Sequence, residues 1–246
     1  MKLTVLGRYG PFPAAGGACS GYLIETDDVT IVVELGSGVL SRLLEYKPDL
    51  SVDCIFLSHL HSDHMSDMLV LRYALQQLSA CGRNVPLPLH VVTPMEPELE
   101  YRQLAASCVF NIVSAYDGLR VKFGGLTVSL HQVVHPTLTF AMDIECGGKR
   151  IFYTGDTGWL DELVTLCAGA DVLLADTCFL TPDKTTPASA HLTAREAAEL
   201  ARAGGVQRLI CTHIWSGGYT DEMILAEATP VFPNTLVAEE RHEYYV

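Results

Sequence analysis

The apolar residues of this chain fall into short runs parted by turn residues, and the runs switch between a two-residue and a helical period. LTVLG, GYLIET and VTIVVELG read as β-strands, the last two joined through Asp27 and Asp28. A Gly-Ser-Gly corner at Gly36 to Gly38 leads into an amphipathic helix, VLSRLLEY, that stops near Pro48. The segment DCIFL (Asp53 to Leu57) returns to a buried-strand pattern. Apolar positions recurring through MLVLRYALQQL then predict a helix.

The alternation continues to the end of the chain. LHVVT is strand-like, PELEYRQLAAS helix-like, and LTVSLHQVVH alternates up to His135. FAMDIECGGKRIFYTGD predicts a hairpin about Gly147 and Gly148 that ends at Asp156. WLDELVTLC and TAREAAELARAG read as helices, the second with the Thr193 hydroxyl as its cap, while DVLLAD and QRLICTH read as buried strands. Strands alternating with helices, with antiparallel hairpins mixed in, point to an α/β architecture of two mixed sheets covered by helices. No linker, low-complexity tract or repeat interrupts the pattern, so residues 1–246 are expected to form one domain.

Composition narrows the partners. With 49% hydrophobic and 18% charged residues the chain can bury a large core. No run is apolar for long enough to span a bilayer, and the opening MKLTVLGRYG lacks a signal-peptide core, so no membrane partner is expected. The eight cysteines are scattered without a CxxC pair, which suits reduced thiols in a cytoplasmic protein. A net charge of −13 disfavours broad binding to nucleic acid, yet leaves room for a small phosphorylated substrate or a short nucleic acid, because bound divalent metals reverse the local field.

One segment carries the chemistry. SHLHSDHMSD packs His59, His61, Asp63 and His64 into an HxHxDH pattern directly after a predicted strand. Imidazole and carboxylate suit zinc or another borderline ion, and manganese or iron are also accommodated. Alternate positions His59 and His61 can address one ion and the neighbours Asp63 and His64 a second. Each ion needs further ligands, and His135, Asp156 and His213 each end an apolar run downstream. His90, His131 and His242 lack such a setting and read as ordinary polar residues.

SHLHSDH, followed by His135, TGDT and THI, resembles the metallo-β-lactamase fold superfamily along essentially the whole chain. The opening LGRYGPFP, the Gly-Ser-Gly corner and the motif order are most similar to the ribonuclease Z and phosphodiesterase branch, and within it to small arm-less bacterial hydrolases. The resemblance implies an αββα sandwich with two metal ions at one sheet edge. It implies that His59, His61 and His135 hold the first ion, that Asp63, His64 and His213 hold the second, and that Asp156 bridges them. It further implies that His191, in SAHLT, is the branch's extra histidine before a helix and acts with Asp63 in catalysis, and that Asp176 supports a ligand imidazole. Asp67 reads as a residue behind the metals or as an acid at a helix start.

The implied activity is a metallo-hydrolase that uses a hydroxide shared by two metals, most simply on a phosphodiester. Ribonuclease Z-type tRNA 3′ cleavage is the runner-up, because the interval from His135 to Asp156 is consumed by one hairpin and leaves no space for a tRNA-binding arm. Thioester or lactone hydrolysis uses the same chemistry, and a non-catalytic metal-binding scaffold is the reading outside enzymes. Related enzymes often form homodimers. The helix from Met68 to Leu78 could serve an interface, but core packing is its expected role.

Overall fold

The computed structural model describes residues 1–186 and 190–246. The first half of the chain runs β1 (Lys2–Gly7), β2 (Gly21–Glu25), β3 (Thr30–Val33), α1 (Val39–Tyr46), β4 (Cys54–Phe56), α2 (Ser62–Met65), α3 (Met68–Ala80), β5 (Leu89–Thr93), α4 (Glu98–Ala105) and β6 (Phe110–Ser114). The second half runs β7 (Arg120–Phe123), β8 (Leu126–Val133), β9 (Thr139–Cys146), β10 (Lys149–Tyr153), α5 (Glu162–Leu166), β11 (Val172–Asp176), α6 (Ala194–Gly204), β12 (Arg208–Thr212), α7 (Asp221–Ala228), β13 (Thr235–Val237) and β14 (Glu243–Tyr245).

Two seven-stranded sheets result, ordered β14-β1-β2-β3-β4-β5-β6 and β13-β12-β11-β10-β9-β8-β7. Each is antiparallel at one end and parallel at the other: β3 to β6 and β10 to β13 run parallel. The period of two in the sequence assigns the faces. Tyr22 and Ile24 of β2 and Val172 and Leu174 of β11 enter the core between the sheets. Their neighbours Leu23 and Leu173 point outward, into separate apolar clusters beneath α1 and α3 on one side and beneath α5 and α6 on the other. Strands covered on both faces must read as continuous apolar runs, and these do. The layers are helix, sheet, sheet, helix: the expected αββα sandwich.

Predicted and observed elements agree closely in the interior and diverge at the edges. Helix α1 occupies VLSRLLEY as expected, while α5 is shorter than WLDELVTLC, with Asp161 at its cap accepting the indole N–H of Trp159. Met68, Leu71 and Leu75 of α3 are buried, which answers to core packing, although Val70 and Tyr73 of the same helix lie exposed. Strands β6 and β7 are the half-exposed outer strands of the two sheets and have no apolar stripe to announce them. All eight cysteines are free. Among the described residues no helix is long and apolar enough to cross a membrane.

Asp67 does something the sequence did not suggest. It stands at the start of α3, but its carboxylate accepts the backbone N–H of Leu40 at 2.8 Å and so caps α1. Thr193 follows the ordinary rule: its hydroxyl accepts from Glu196 N at 3.0 Å, and the Glu196 carboxylate accepts from Thr193 N at 2.8 Å. Replacing Thr193 with Ala should therefore lower unfolding free energy by about 1 kcal/mol in urea titration. A midpoint that does not move would show that α6 is held by packing alone.

Candidate metal centre

The strand ends of both sheets meet along one edge. Glu34 follows β3, His59 follows β4 by three residues, His135 follows β8, Asp156 follows β10, Asp176 ends β11 and His213 follows β12. The one-turn helix α2 turns Asp63 and His64 inward, leaving His64 fully buried. Parallel strands place their carboxyl ends on the same side of a sheet, which is why residues so distant in sequence share one edge.

Two groups of donor atoms form there. Nε2 of His59 lies 2.9 Å from Nδ1 of His61, which lies 3.2 Å from Nε2 of His135. In the second group Nε2 of His213 is 3.2 Å from Oδ2 of Asp63 and 3.1 Å from Oδ2 of Asp156, and Nε2 of His64 is 3.5 and 3.3 Å from the same two oxygens. Adjacent ligands of a tetrahedral zinc ion lie about 3.3 Å apart when the metal–ligand bonds are near 2.0 Å. Both groups match that spacing. Oδ2 of Asp156 is also 3.9 Å from Nε2 of His59, so this carboxylate faces both groups.

The electrostatics of the groups differ. Burial drives His59, His61 and His135 below the ordinary imidazole range, so their lone pairs are free to bind a cation. Burial would depress His64 and His213 too, but the Asp156 charge, with Asp63, lifts both well above that range. Asp156 is held far below its usual value: burial opposes ionisation, and the charges of His213 and His64 overcome it. His64 Nε2 and Asp156 Oδ1 are buried without a hydrogen-bond partner, although such atoms are ordinarily satisfied. A cluster of imidazole and carboxylate donors that leaves such atoms orphaned fits divalent metal better than an internal hydrogen-bond network.

Polar groups stand behind four of the imidazoles, with hydrogen-bond contacts to His59 and His135 and carboxylates near His64 and His213. Ser58 Oγ lies 2.9 Å from His59 Nδ1, the Ala190 carbonyl accepts from His135 Nδ1 at 3.1 Å, and Glu34 stands 3.4 Å from His64 Nδ1. Glu34 is fully buried and accepts from Ser58 N and the Tyr153 hydroxyl. The sequence reading passed over Glu34 and Ser58, although Glu34 stands at a strand end like the candidate ligands. Asp176 receives His191 Nδ1 at 2.8 Å and approaches His213 Nδ1 at 3.4 Å. Burial would lower the His191 imidazole, but Asp176, with help from Asp156, raises it above its ordinary value. The structure thus brings together every candidate residue, with His191 stacked on His213 at 5.2 Å between ring centroids.

Gly10 closes this wall. A Cβ built there would lie 1.9 Å from Nε2 of His213, so only glycine lets the loop approach the imidazole. Gly10→Ala should displace His213 and remove metal from the second group while leaving the His59–His61–His135 group loaded. Elemental analysis of the purified variant reads this directly, and unchanged metal content would show that the loop yields instead.

Comparison with known proteins places this geometry in a family. A model described as the beta-lactamase superfamily domain matches residues 36–214. The probable metallo-hydrolase YhfI of Bacillus subtilis is 32% identical over 94% of this chain and 94% of its own. The crystal structure of that metallo-beta-lactamase fold protein superposes with a TM-score of 0.90 at 28% identity, covering 99% of each chain. Ribonuclease Z from a Bradyrhizobium species is 29% identical, with 98% of both chains covered. Human tRNase Z, short form, shares the fold at a TM-score of 0.78 with 18% identity, over 100% of this chain and 99% of its own.

Proposed function

This chain belongs to the beta-lactamase superfamily and is a metallo-hydrolase, and on that premise we propose that it hydrolyses phosphodiesters at a two-metal centre. The observation that carries the proposal is the His191–Asp176 pair. It sets a half-buried imidazole, raised toward its cationic form, 3.9 Å from Asp156 and beside the donor atoms of both groups. A phosphodiester at this edge brings an anionic centre and a poor leaving group. A protonated imidazole serves both needs, by hydrogen-bonding a phosphoryl oxygen or by giving its proton to the departing alkoxide.

His59, His61 and His135 would hold one divalent ion and Asp63, His64 and His213 the other, with Asp156 between them. When bound, such ions supply Lewis acidity and lower the pKa of water toward neutrality. The other functions belong to the protein. The Asp63 side chain is 10% exposed, and its carboxylate is positioned to orient an attacking water and take up its proton. Asp176 accepts from His191 Nδ1 and so directs the opposite nitrogen of that ring away from the carboxylate. The Ala190 carbonyl holds His135 close to His191, and their rings lie 5.2 Å apart.

Cleavage of precursor tRNA is a second reading, favoured by the ribonuclease Z relatives. Weighing against it, β9 and β10 form a tight hairpin that fills the interval between His135 and Asp156. The Bradyrhizobium enzyme aligns over 296 positions, more than the 246 residues of this chain, so it carries segments that this chain lacks. The net charge of −13 also gives a large polyanion little to bind.

Asp63→Ala should abolish hydrolysis of bis-p-nitrophenyl phosphate by metal-reconstituted protein, and a chelator should do the same to the unaltered chain. His191→Ala should cost about a hundredfold or more in turnover with metal content unchanged. Loss of metal from that variant would make His191 a ligand rather than a proton donor. Turnover of thioesters with none of phosphodiesters would refute the substrate class. Efficient 3′ trimming of precursor tRNA would put the second reading first.

A further inference from the structure

The loop that follows the last candidate ligand carries an aromatic assembly that the metal chemistry does not use. Trp215 stands two residues beyond His213, so their Cα atoms are at most about 7.6 Å apart. The residue is 38% exposed, a costly position for so large an apolar side chain. Single exposed apolar side chains are commonplace. This one differs in being held on several sides.

Gly217 backs the ring. A Cβ at that position would lie 2.4 Å from the indole carbons Cε2 and Cζ2, so the six-membered ring rests against bare backbone. Tyr219 meets the indole edge to face, with centroids 5.1 Å apart. The backbone on both sides of Trp215 is stapled to the loop that touches His213. Gly10 N donates to the Ile214 carbonyl at 3.2 Å, and Ser216 Oγ donates to the Phe12 carbonyl at 2.9 Å. Phe12 itself is 49% exposed. On the other flank, Leu180 N donates to the Tyr219 hydroxyl at 3.2 Å, and the neighbouring Phe179 ring lies 5.7 Å from His191. An aromatic border thus runs from the His191 side of the site to the His213 side, with Trp215 its largest exposed member.

We propose that Trp215 is a stacking platform for a planar ring carried by the substrate, so that this site prefers aryl or nucleoside phosphoesters over alkyl ones. The inference rests on the phosphodiester reading for the charged half of the ligand, while the ring half stands on the loop geometry alone. A flat indole fixed in advance loses little entropy when a second ring covers it, which makes stacking effective at an open site. Phenyl and nucleobase rings share this chemistry.

The test uses phosphate monoesters as competitive ligands and needs no turnover of them. Trp159 is the other of the two tryptophans, so Trp159→Phe leaves Trp215 as the sole indole reporter. With metal-loaded protein, phenyl phosphate and adenosine monophosphate should quench Trp215 fluorescence saturably, whereas methyl phosphate should not. By isothermal titration calorimetry, which also reads the Trp215 variants, the ring-bearing ligands should bind roughly tenfold more tightly than methyl phosphate, as expected for one stacked ring. That preference should vanish in Trp215→Ala, persist in Trp215→Phe and weaken in Gly217→Ala, whose methyl group displaces the indole. Equal binding of phenyl and methyl phosphate to the parent protein, or a preference retained in both Trp215→Ala and Gly217→Ala, would overturn the proposal. Benzoate and acetate form the control pair. Ring preference among carboxylates, without binding of any phosphate ester, would uphold the platform and remove the phosphodiester reading. The stronger of the phenyl and adenosine responses identifies which ring the platform fits.

Discussion

A single carboxylate governs this architecture. Asp156 is 2% exposed, yet its Oδ2 lies within 3.3 Å of His213 and His64 and within 3.9 Å of His59 and His191. An ionised carboxylate out of water costs several kcal/mol unless charges or strong donors surround it. The four imidazoles come from the ends of β4 and β12, from α2 and from the segment before α6. Satisfying this one charge therefore requires that strand ends of both sheets open onto the same edge. Two sheets packed face to face with their parallel portions aligned, as in this αββα sandwich, meet that requirement.

The shell behind the candidate ligands divides the cluster into two groups of different charge. One triad is kept neutral, with a serine hydroxyl and a backbone carbonyl behind two of its rings. The other group is backed by the carboxylates Glu34 and Asp176 and contains two more, Asp63 and Asp156. The negative charge is thus unevenly shared, and the acidic group raises its own imidazoles while the neutral triad stays unprotonated.

Much of this was legible in the chain. Strands buried on both faces produce continuous apolar runs, and ligands at their ends interrupt those runs with His or Asp, so β4, β10 and β12 announced their own termini. The His191–Asp176 pair was visible only through resemblance to a family, since neither residue has a local signature. Glu34 was missed because a lone glutamate after IVV reads as the polar end of a strand; its role depends on His64, thirty residues away in sequence. Asp67 does stand at a helix start, as read, but its bond to Leu40 was hidden for the same reason, since that N–H group belongs to a helix that precedes it in the chain. Edge strands β6 and β7 and the terminal β13 and β14 are specified by pairing across the fold rather than by their own periodicity.

Of the four residues other than glycine with positive φ among the described residues, Glu34, Leu50, His213 and Arg241, two stand at the candidate metal centre. Glu34 and His213 have φ values of 62° and 54°, a left-handed conformation that residues other than glycine seldom adopt. Each such residue costs of order 1 kcal/mol and persists only where its surroundings hold it. Both stand immediately beyond parallel strands whose side chains feed the apolar clusters, and those strands bear the load. The turn at His213 points its imidazole toward Asp156 and at the same step starts the loop that carries Trp215. Gly10 approaches that same turn, and its N–H holds the Ile214 carbonyl. Ligand geometry and the aromatic border are therefore set by one backbone feature, so a substitution that relaxes the turn must disturb both together.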